Sequence, residues 1–258
     1  MGELKDYQGE FVPALRYEDM SKDVLIKLLR ETSRTLGWVG AYWYSIIGDK
    51  YGVDEADFQS LDVWIKEADF CIPRVAEALG IKPTDVASAM KFWQVDPAFS
   101  SQLFKYNIDI VARDHAVLTI THCPSLVYQE REGKGKEKFT CQVLEPLVIV
   151  RYFGALGLEW VEVRPLKVPP RRGWEAKGWG GIACQWDFKA IPEKEYKGKI
   201  ADTREGQLRQ VIDCSWKIQE LENAIAAGKR RYDSELENLH LERRMLLREL
   251  KWKRSRNP

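Results

Sequence analysis

The sequence lacks any apolar run close to the roughly 20 residues that a helix needs to cross a bilayer. Residues 1–6 also contain no apolar stretch of the signal-peptide kind. We therefore expect a cytoplasmic protein without a membrane partner. A dominant charge is missing as well, because 40 Lys and Arg against 39 Asp and Glu leave a net charge of +1. The molecule as a whole has no field that would attract nucleic acid, which is therefore not an expected partner.

Closely spaced cysteine pairs are also missing. The five cysteines are odd in number and widely spaced, and a reducing cytoplasm disfavours disulfides, so we expect free thiols or metal ligands. Glycine and proline nearly vanish from residue 202 onward, whereas they are concentrated in residues 165–181. This distribution predicts a folded domain over residues 1–195, which contains one long loop, and a helical arm over residues 203–258.

The first hundred residues have the patterns of helices. Ser21 can cap a first helix, and a second helix is expected to start after Gly40 and to end near Gly48. One face of the first helix carries Leu25, Leu28, Leu29 and Leu36. Asp54 opens the clearest helix. Its apolar residues recur at steps of three and four, which are Phe58, Leu61, Ile65, Ala68, Ile72, Val75 and Leu79.

A shorter helix is expected to start at Pro83 and to carry Val86 and Met90. Together with residues 75–81, it has the glycine and apolar spacing of a helix-turn-helix, so a DNA-reading role is one interpretation. The candidate recognition helix over residues 84–91 has a single basic residue, which leaves few phosphate contacts. A helix pair in a core is the simpler interpretation.

Strand patterns begin after residue 105. The predicted strands are residues 106–112, 116–121, 159–164 and 182–189. The first two flank a turn at Arg113 and Asp114 and should form a β-hairpin, and a helix from Glu145 to Gly154 should follow them. We therefore predict an α+β fold with an N-terminal helical layer, a small mainly antiparallel sheet, and a C-terminal helical hairpin or coiled coil.

The C-terminal arm carries a heptad repeat of apolar residues, which is typical of a coiled-coil seam. The repeated positions are Val211, Ile218, Ile225, Tyr232, Leu239 and Leu246. The companion apolar positions change phase near Gly228, which can end one helix, and Ser234 with Glu237 can cap the next. We expect an αα-hairpin, with one continuous helix as the alternative, and we expect the arm to mediate assembly with further copies of the chain or with a protein partner.

Three cysteines lie in the strand-rich half of the chain: Cys123, Cys141 and Cys184. Thiolates bind zinc and iron well, so the three are a candidate metal site with zinc as the candidate ion. Strand alternation points Cys184 into the core, because Trp186 and Phe188 share its face. A catalytic thiolate is another interpretation, and reduced cysteines that merely fill the core are the plainest one.

Four short segments around these cysteines carry a family resemblance. They are residues 121–124 (Thr-His-Cys-Pro), Cys141 followed by Glu145 and Pro146, the strand end at Leu166 and Lys167, and residues 180–188. Over roughly residues 1 to 190 the chain resembles the L-2-amino-thiazoline-4-carboxylate hydrolases. It looks closer to a related family of prokaryotic cytosolic proteins, which share the opening at residues 4–11. The segment of residues 180–188, in which glycines are followed by Cys184 and Phe188, is also similar to vinyl-reductase-type ligand-sensing domains, in which cysteines hold a structural zinc. Residues 171–179 are basic and Trp-rich and depart from the hydrolase pattern.

The resemblance implies a protein that binds a small molecule, or a hydrolase that acts on a C–N bond of a small cyclic substrate such as a thiazoline carboxylate. Water would attack the amidine carbon, which requires a base and a group that stabilises the developing charge. Under this hypothesis Cys123 or Cys184 is a nucleophile or a zinc ligand, and Asp114, His115 or His122 moves protons.

Two other functions remain open from the sequence. The first is a non-enzymatic subunit that docks onto a partner complex through residues 203–258. The second is a transcription regulator with a ligand-sensing domain.

Overall fold

The computed structural model describes residues 13–171, 179–200 and 233–255, and positions 210, 211, 214, 217, 218, 220–222 and 224–228 between them. These residues form helices and a four-stranded antiparallel sheet, which confirms the predicted α+β class. None of the helices in the described ranges is long and apolar enough to span a membrane.

Two long helices form the N-terminal layer, α1 (Lys22–Tyr51) and α2 (Val53–Ala78). The predicted cap is present, because the Ser21 side chain accepts a hydrogen bond from the Val24 N–H at 3.3 Å. The prediction of two helices before residue 52 is wrong, since α1 continues through Gly40 and Gly48. Both glycines face α2, and a Cβ added at Gly48 would lie 3.7 Å from the Cβ of Ala56. Here glycine allows close helix packing rather than ending a helix.

The leucine face of α1 is not part of the core. No residue of α1 is buried, and Leu28, Leu29 and Leu36 are exposed. The physical reason is that α2 packs against the opposite face of α1, through Gly40, Gly48 and a hydrogen bond from the Tyr44 hydroxyl to Asp57 at 2.7 Å.

The apolar stripe predicted for α2 is confirmed over most of its length. Phe58, Leu61, Ile65, Ala68 and Ile72 are all buried in the main core, although Leu79 at the end is exposed. Full burial of each large side chain contributes about 1.5–3 kcal/mol relative to exposure. This helix therefore organises the core onto which the other elements pack.

The next helix, α3 (Val86–Trp93), begins three residues later than predicted. Asp85 caps it, and its carboxylate accepts a hydrogen bond from the Ser88 N–H at 2.8 Å. Five of its eight residues are buried, and the helix packs against the sheet. These contacts agree with a core helix rather than with a helix that is free to enter a DNA groove.

The sheet contains β1 (Lys105–Ala112), β2 (His115–His122), β3 (Val161–Lys167) and β4 (Cys184–Ala190), in the order β1-β2-β4-β3. All three pairings are antiparallel, and the predicted hairpin of β1 and β2 is confirmed. The predicted inward face of β4 is also confirmed, because Cys184, Trp186 and Phe188 are buried.

The connection from β2 to β3 is mostly helical. It consists of α4 (Pro124–Glu132), the short α5 (Glu137–Phe139), a π-helical turn (Thr140–Leu144) and α6 (Glu145–Ala155). Most of α6 is buried, and it packs against α2 and β3. This helical connection lies at the end of the sheet where β2 stops.

The C-terminal part contains α7 (Glu193–Ile200), described helical positions between 210 and 226, and α8 (Asp233–Ser255). Gly228 has a φ of +67°, in the left-handed region that glycine adopts readily at a helix end. The Cys214 thiol lies 3.2 Å from the carbonyl oxygen of Leu239, so the two helical stretches contact each other across this turn. The contact agrees with the αα-hairpin. The heptad position Tyr232 and the predicted start of the arm lie outside the described residues.

This hairpin packs against α2 of its own chain. The Arg243 guanidinium, which is 4% exposed, binds both carboxylate oxygens of Asp62, one of them at 2.9 Å. Lys66 pairs with Glu222 at 3.1 Å, and Val211 and Leu247 belong to the same core cluster as α2. The described seam of the arm is therefore covered within the molecule.

We expect Arg243→Ala to lower the free energy of unfolding by about 2–3 kcal/mol, because it leaves the Asp62 carboxylate without its partner in a partly buried place. The matched control is Arg248→Ala, which removes the same charge from an exposed position of α8 and should cost less than about 0.5 kcal/mol. Urea denaturation of both variants measures the difference. Equal losses would show that the Arg243–Asp62 pair does not hold the hairpin.

Candidate functional site

Cys123 occupies the junction between β2 and α4. The strand stops at His122, and Pro124 is the first residue of the helix, so Cys123 becomes its N-cap. Its sulfur accepts a hydrogen bond from the Leu126 N–H at 3.4 Å. A cysteine at this position faces the positive end of the helix dipole, which favours a thiolate when one forms.

The other two cysteines come from separate elements. Cys184 is the first residue of β4, and its sulfur accepts a hydrogen bond from the Trp186 indole N–H at 3.3 Å. Cys141 lies in the π-helical turn Thr140–Leu144. Such turns are rare and are frequent at functional sites.

The structure brings the three thiols together. Burial is the main cause that raises the pKa of each thiol, to about 11 for Cys123 and about 12 for Cys184, and well above the ordinary value for Cys141. Cys123 and Cys184 each raise the pKa of Cys141 electrostatically, and Cys123 raises that of Cys184. Cys184 belongs to the main hydrophobic core cluster, and Cys123 and Cys141 pack against the same cluster, so the three thiols lie in one neighbourhood and interact electrostatically.

Glu145 and Arg171 complete this location. Burial raises the pKa of Glu145, the first residue of α6, to about 7, and its carboxylate raises the pKa of all three thiols. Arg171 has the opposite effect and lowers the pKa of Cys123 and Cys184. We name the group of Cys123, Cys141, Cys184, Glu145 and Arg171 the thiol site.

A second group of acids lies behind Glu145. Asp96 is only 3% exposed, and burial raises its pKa to about 7. The Tyr152 hydroxyl donates a hydrogen bond to Glu67 at 3.0 Å, and the same hydroxyl lies within reach of Asp96. Asp96 in turn contributes to the raised pKa of Glu145. Acids that stay buried at such cost are frequent at functional sites.

The sequence interpretation missed Asp96, Glu67, Tyr152 and the role of Arg171. No periodic pattern marks these residues. Glu145 alone had a signal, because it follows Cys141 by one helical turn and precedes Pro146 at a helix start.

Arg171 of the thiol site also lines a pocket of about 590 Å³. Its walls are Glu130, Gly133, Gly135, Glu137, Lys138, Pro170 and Arg171. Two of these residues also belong to the surroundings of the thiols, because Glu137 raises the pKa of Cys141 and Arg171 lowers that of Cys123. The Arg171 guanidinium donates two hydrogen bonds to the Glu130 carboxylate, one of them from its Nε–H at 2.7 Å. The volume suits a small molecule.

Two predicted proton carriers lie elsewhere. His115 is at the opposite end of β2 from Cys123, roughly 25 Å away for an eight-residue strand. Its Nε2 lies 2.6 Å from an oxygen of Asp187, whose other oxygen accepts from Arg164 at 2.8 Å. Asp114 is in the turn before β2, where its carbonyl accepts from the Ala190 N–H at 2.8 Å. The length of β2 therefore separates His115 and Asp114 from the thiols.

His122 is adjacent to Cys123 in the chain, but it is exposed at the end of β2 and pairs there with Lys105 of β1. Cys123 faces the opposite way because the chain turns into α4. His122 therefore lies at the edge of the site rather than among the three thiols.

The metal hypothesis for Cys123, Cys141 and Cys184 stays a prediction. Within the described ranges, no group of three or more His, Cys, Asp or Glu side chains has an arrangement that could hold a metal ion.

Comparison with known proteins found no matching family model, no matching curated protein and no matching solved structure. The resemblance to the thiazoline-carboxylate hydrolases thus stays an expectation that rests on the short cysteine motifs alone.

Alkylation of Cys123 by iodoacetamide should reflect its raised pKa. We expect the rate to rise about tenfold per pH unit up to about pH 9.5 without a plateau, whereas an ordinary thiol, with a pKa of about 8.5, levels off. Peptide mass spectrometry of the full chain measures the rate at this residue. A plateau near pH 8.5 would contradict the burial of this thiol.

The same measurement on Glu145→Gln should show faster alkylation of Cys123 at about pH 8. At a pH above its pKa of about 7, the Glu145 carboxylate is charged and disfavours a neighbouring thiolate. Glutamine removes that charge. The control is Glu159→Gln, an exposed carboxylate between α6 and β3, which should leave the rate unchanged. An equal response to both substitutions would mean that Glu145 does not act on Cys123.

Proposed function

We propose that the protein binds a small cyclic molecule at the thiol site and hydrolyses one of its C–N bonds, with a thiazoline carboxylate as the type of substrate. The supporting observation is that three cysteines far apart in sequence converge beside Glu145 and Arg171, next to a pocket. Cysteines that only filled a core would need neither a buried acid nor a guanidinium beside them. We expect the protein to act in the cytoplasm, where thiols stay reduced.

Glu145 is the proposed general base and acid. With a pKa of about 7 it is present in both protonation states near neutral pH, which is the condition for efficient proton transfer. Water adds to the amidine carbon, and one of its protons passes to the Glu145 carboxylate and from there to the ring nitrogen, which leaves a C–N single bond. Glu145 then takes the proton of the added hydroxyl as the C=O bond forms and gives it to the ring nitrogen, which leaves as a primary amine when the C–N bond breaks.

Cys123 is proposed to contact the amidine group that reacts. Its pKa of about 11 keeps the sulfur protonated at neutral pH, so the thiol donates a hydrogen bond to the nitrogen on which negative charge develops. The alternative is that Cys123 acts as the nucleophile, with its proton taken by Glu145 before sulfur attacks the carbon. The helix end at Leu126 favours the thiolate in that case.

Arg171 is the proposed binding group for the substrate carboxylate. Its hydrogen bond with Glu130 raises its pKa further, so it remains a cation at every physiological pH. A guanidinium is the side chain best suited to a planar carboxylate. Its position in the pocket wall places this charge where a small anion would enter.

Turnover of 2-amino-thiazoline-4-carboxylate by the full chain tests the proposal. We expect Cys123→Ala and Glu145→Gln each to lower kcat/KM by at least about 100-fold, in line with the loss of proton transfer or of a charge-stabilising group. Cys184→Ala should abolish turnover as well. The matched control is Cys214→Ala, a buried cysteine of the C-terminal hairpin, which should retain activity. A wild-type protein that is inert across thiazoline and related cyclic carboxylates would end the hydrolase proposal.

A metal held by the same thiols is a second proposal. Its support is that Cys123, Cys184 and Glu145 all interact electrostatically with Cys141. Because the described side chains are not arranged to hold an ion, binding requires them to move toward it. Elemental analysis of purified protein should then find about one zinc or iron per chain. Cys141→Ser should lose the metal and Cys214→Ser should keep it. Protein with no bound zinc or iron would remove this proposal and leave the hydrolase proposal standing.

A further inference from the structure

One face of α1 carries an apolar stripe that the described residues leave largely exposed, with Leu25 and Trp43 partly buried. We name it the α1 stripe, and it consists of Leu25, Leu29, Thr32, Leu36, Val39, Trp43 and Ile46. The exposed fractions of Leu29, Val39 and Ile46 are 64%, 60% and 63%. Large aliphatic side chains with such exposure along one helix are unusual on the surface of a monomer.

The spacing of the stripe indicates the shape of the partner that would cover it. Successive positions are separated by four and three residues in strict alternation, which is the 3.5-residue period of a coiled-coil seam. The seam extends over roughly 32 Å at 1.5 Å per residue. A second helix of comparable length satisfies this geometry, whereas a compact ligand does not.

The size of the surface suits a stable association. The stripe with its exposed flanking residues Leu28 and Tyr42 presents on the order of 600 Å² of apolar surface, at the upper limit for a monomer and near the area that each partner buries in a standard interface. Residues 35–48 contain no Asp, Glu, Lys or Arg. The partner surface must therefore be apolar, which excludes nucleic acid and strongly charged peptides.

The other helical seam of the chain is not available for this role. Val211, Cys214, Ile218 and Leu221 are already buried, and the hairpin is tied to α2 through Arg243 and Asp62. Association through the α1 stripe therefore differs from the assembly that the heptads of residues 203–258 suggest from sequence.

We infer that a second copy of this chain packs its α1 antiparallel against the α1 stripe, forming a symmetric dimer. The stripe is complementary to itself in this orientation: Leu36 meets Val39 on both sides of the two-fold axis, Leu29 meets Ile46, and the large Trp43 lies opposite the small Thr32. A symmetric dimer of this kind uses the same surface twice and leaves no open end.

The mass of the full chain in solution tests this inference, by light scattering or sedimentation at micromolar concentration. Wild-type protein should have twice the monomer mass, and Leu36→Lys and Val39→Lys should each halve it, because a lysine at the axis meets its own copy in an apolar seam. The control is Leu241→Lys, at an apolar residue of α8 that is 57% exposed, which should keep the dimer mass. Circular dichroism confirms that each variant is folded.

A monomeric wild-type protein would overturn the inference. A monomer is the result expected if residues 1–12 of the same chain cover the stripe. An unchanged mass for both lysine variants, or loss of the dimer in Leu241→Lys, would overturn it as well. Cross-linking by a short bismaleimide establishes the orientation. Leu36→Cys should give covalent dimers beyond the wild-type background. Leu25→Cys should not, because antiparallel packing separates the two copies of residue 25 by about 37 Å along the axis. Cross-linking of Leu25→Cys would contradict antiparallel packing.

Discussion

The thiol site depends on the pairing of β2 with β4. Ile120 lies opposite Cys184 in this pair, and the Ala183 N–H donates to the Ile120 carbonyl at 2.7 Å. Cys123 follows Ile120 by three residues, so the end of one strand meets the start of its neighbour, and the helical connection then brings Cys141 and Glu145 to the same edge. A slip of one residue in this register would turn Cys184 toward the opposite face and separate the sulfur atoms.

The interior next to this edge is unusually acidic. Glu145, Asp96 and Glu67 interact through Tyr152 and with one another, and burial raises the pKa of each. Replacing such groups by apolar residues would favour the folded state, because each carboxylate loses water when the chain folds. The bond between Tyr152 and Glu67 adds a polar contact to the packing of α6 against α2, which is otherwise apolar.

Regular patterns predicted most of the fold. The apolar stripe of α2 and the alternation of β4 each predict a face that is in fact buried. Both faces could be predicted because the spacing of residues close in sequence defines them. The stripe of α1 has the same form but remains exposed, because periodicity identifies a face and says nothing about what covers it. Asp187 shows the converse, being buried on the polar face of β4 under His115 and Arg164. The sequence could suggest the three cysteines but could not place Asp96 or Arg171, which reach the site through tertiary contacts alone.

The contact between Arg243 and Asp62 joins residues that are 181 positions apart. During synthesis, α2 leaves the ribosome long before α8 exists, and the side of α2 that receives the hairpin has no cover until the last helix emerges. Shielding of this surface in the nascent chain must therefore come from elsewhere, such as a chaperone or a neighbouring chain on the same polysome. Premature termination anywhere before α8 would release a product with that side open, which makes it a substrate for quality-control proteases.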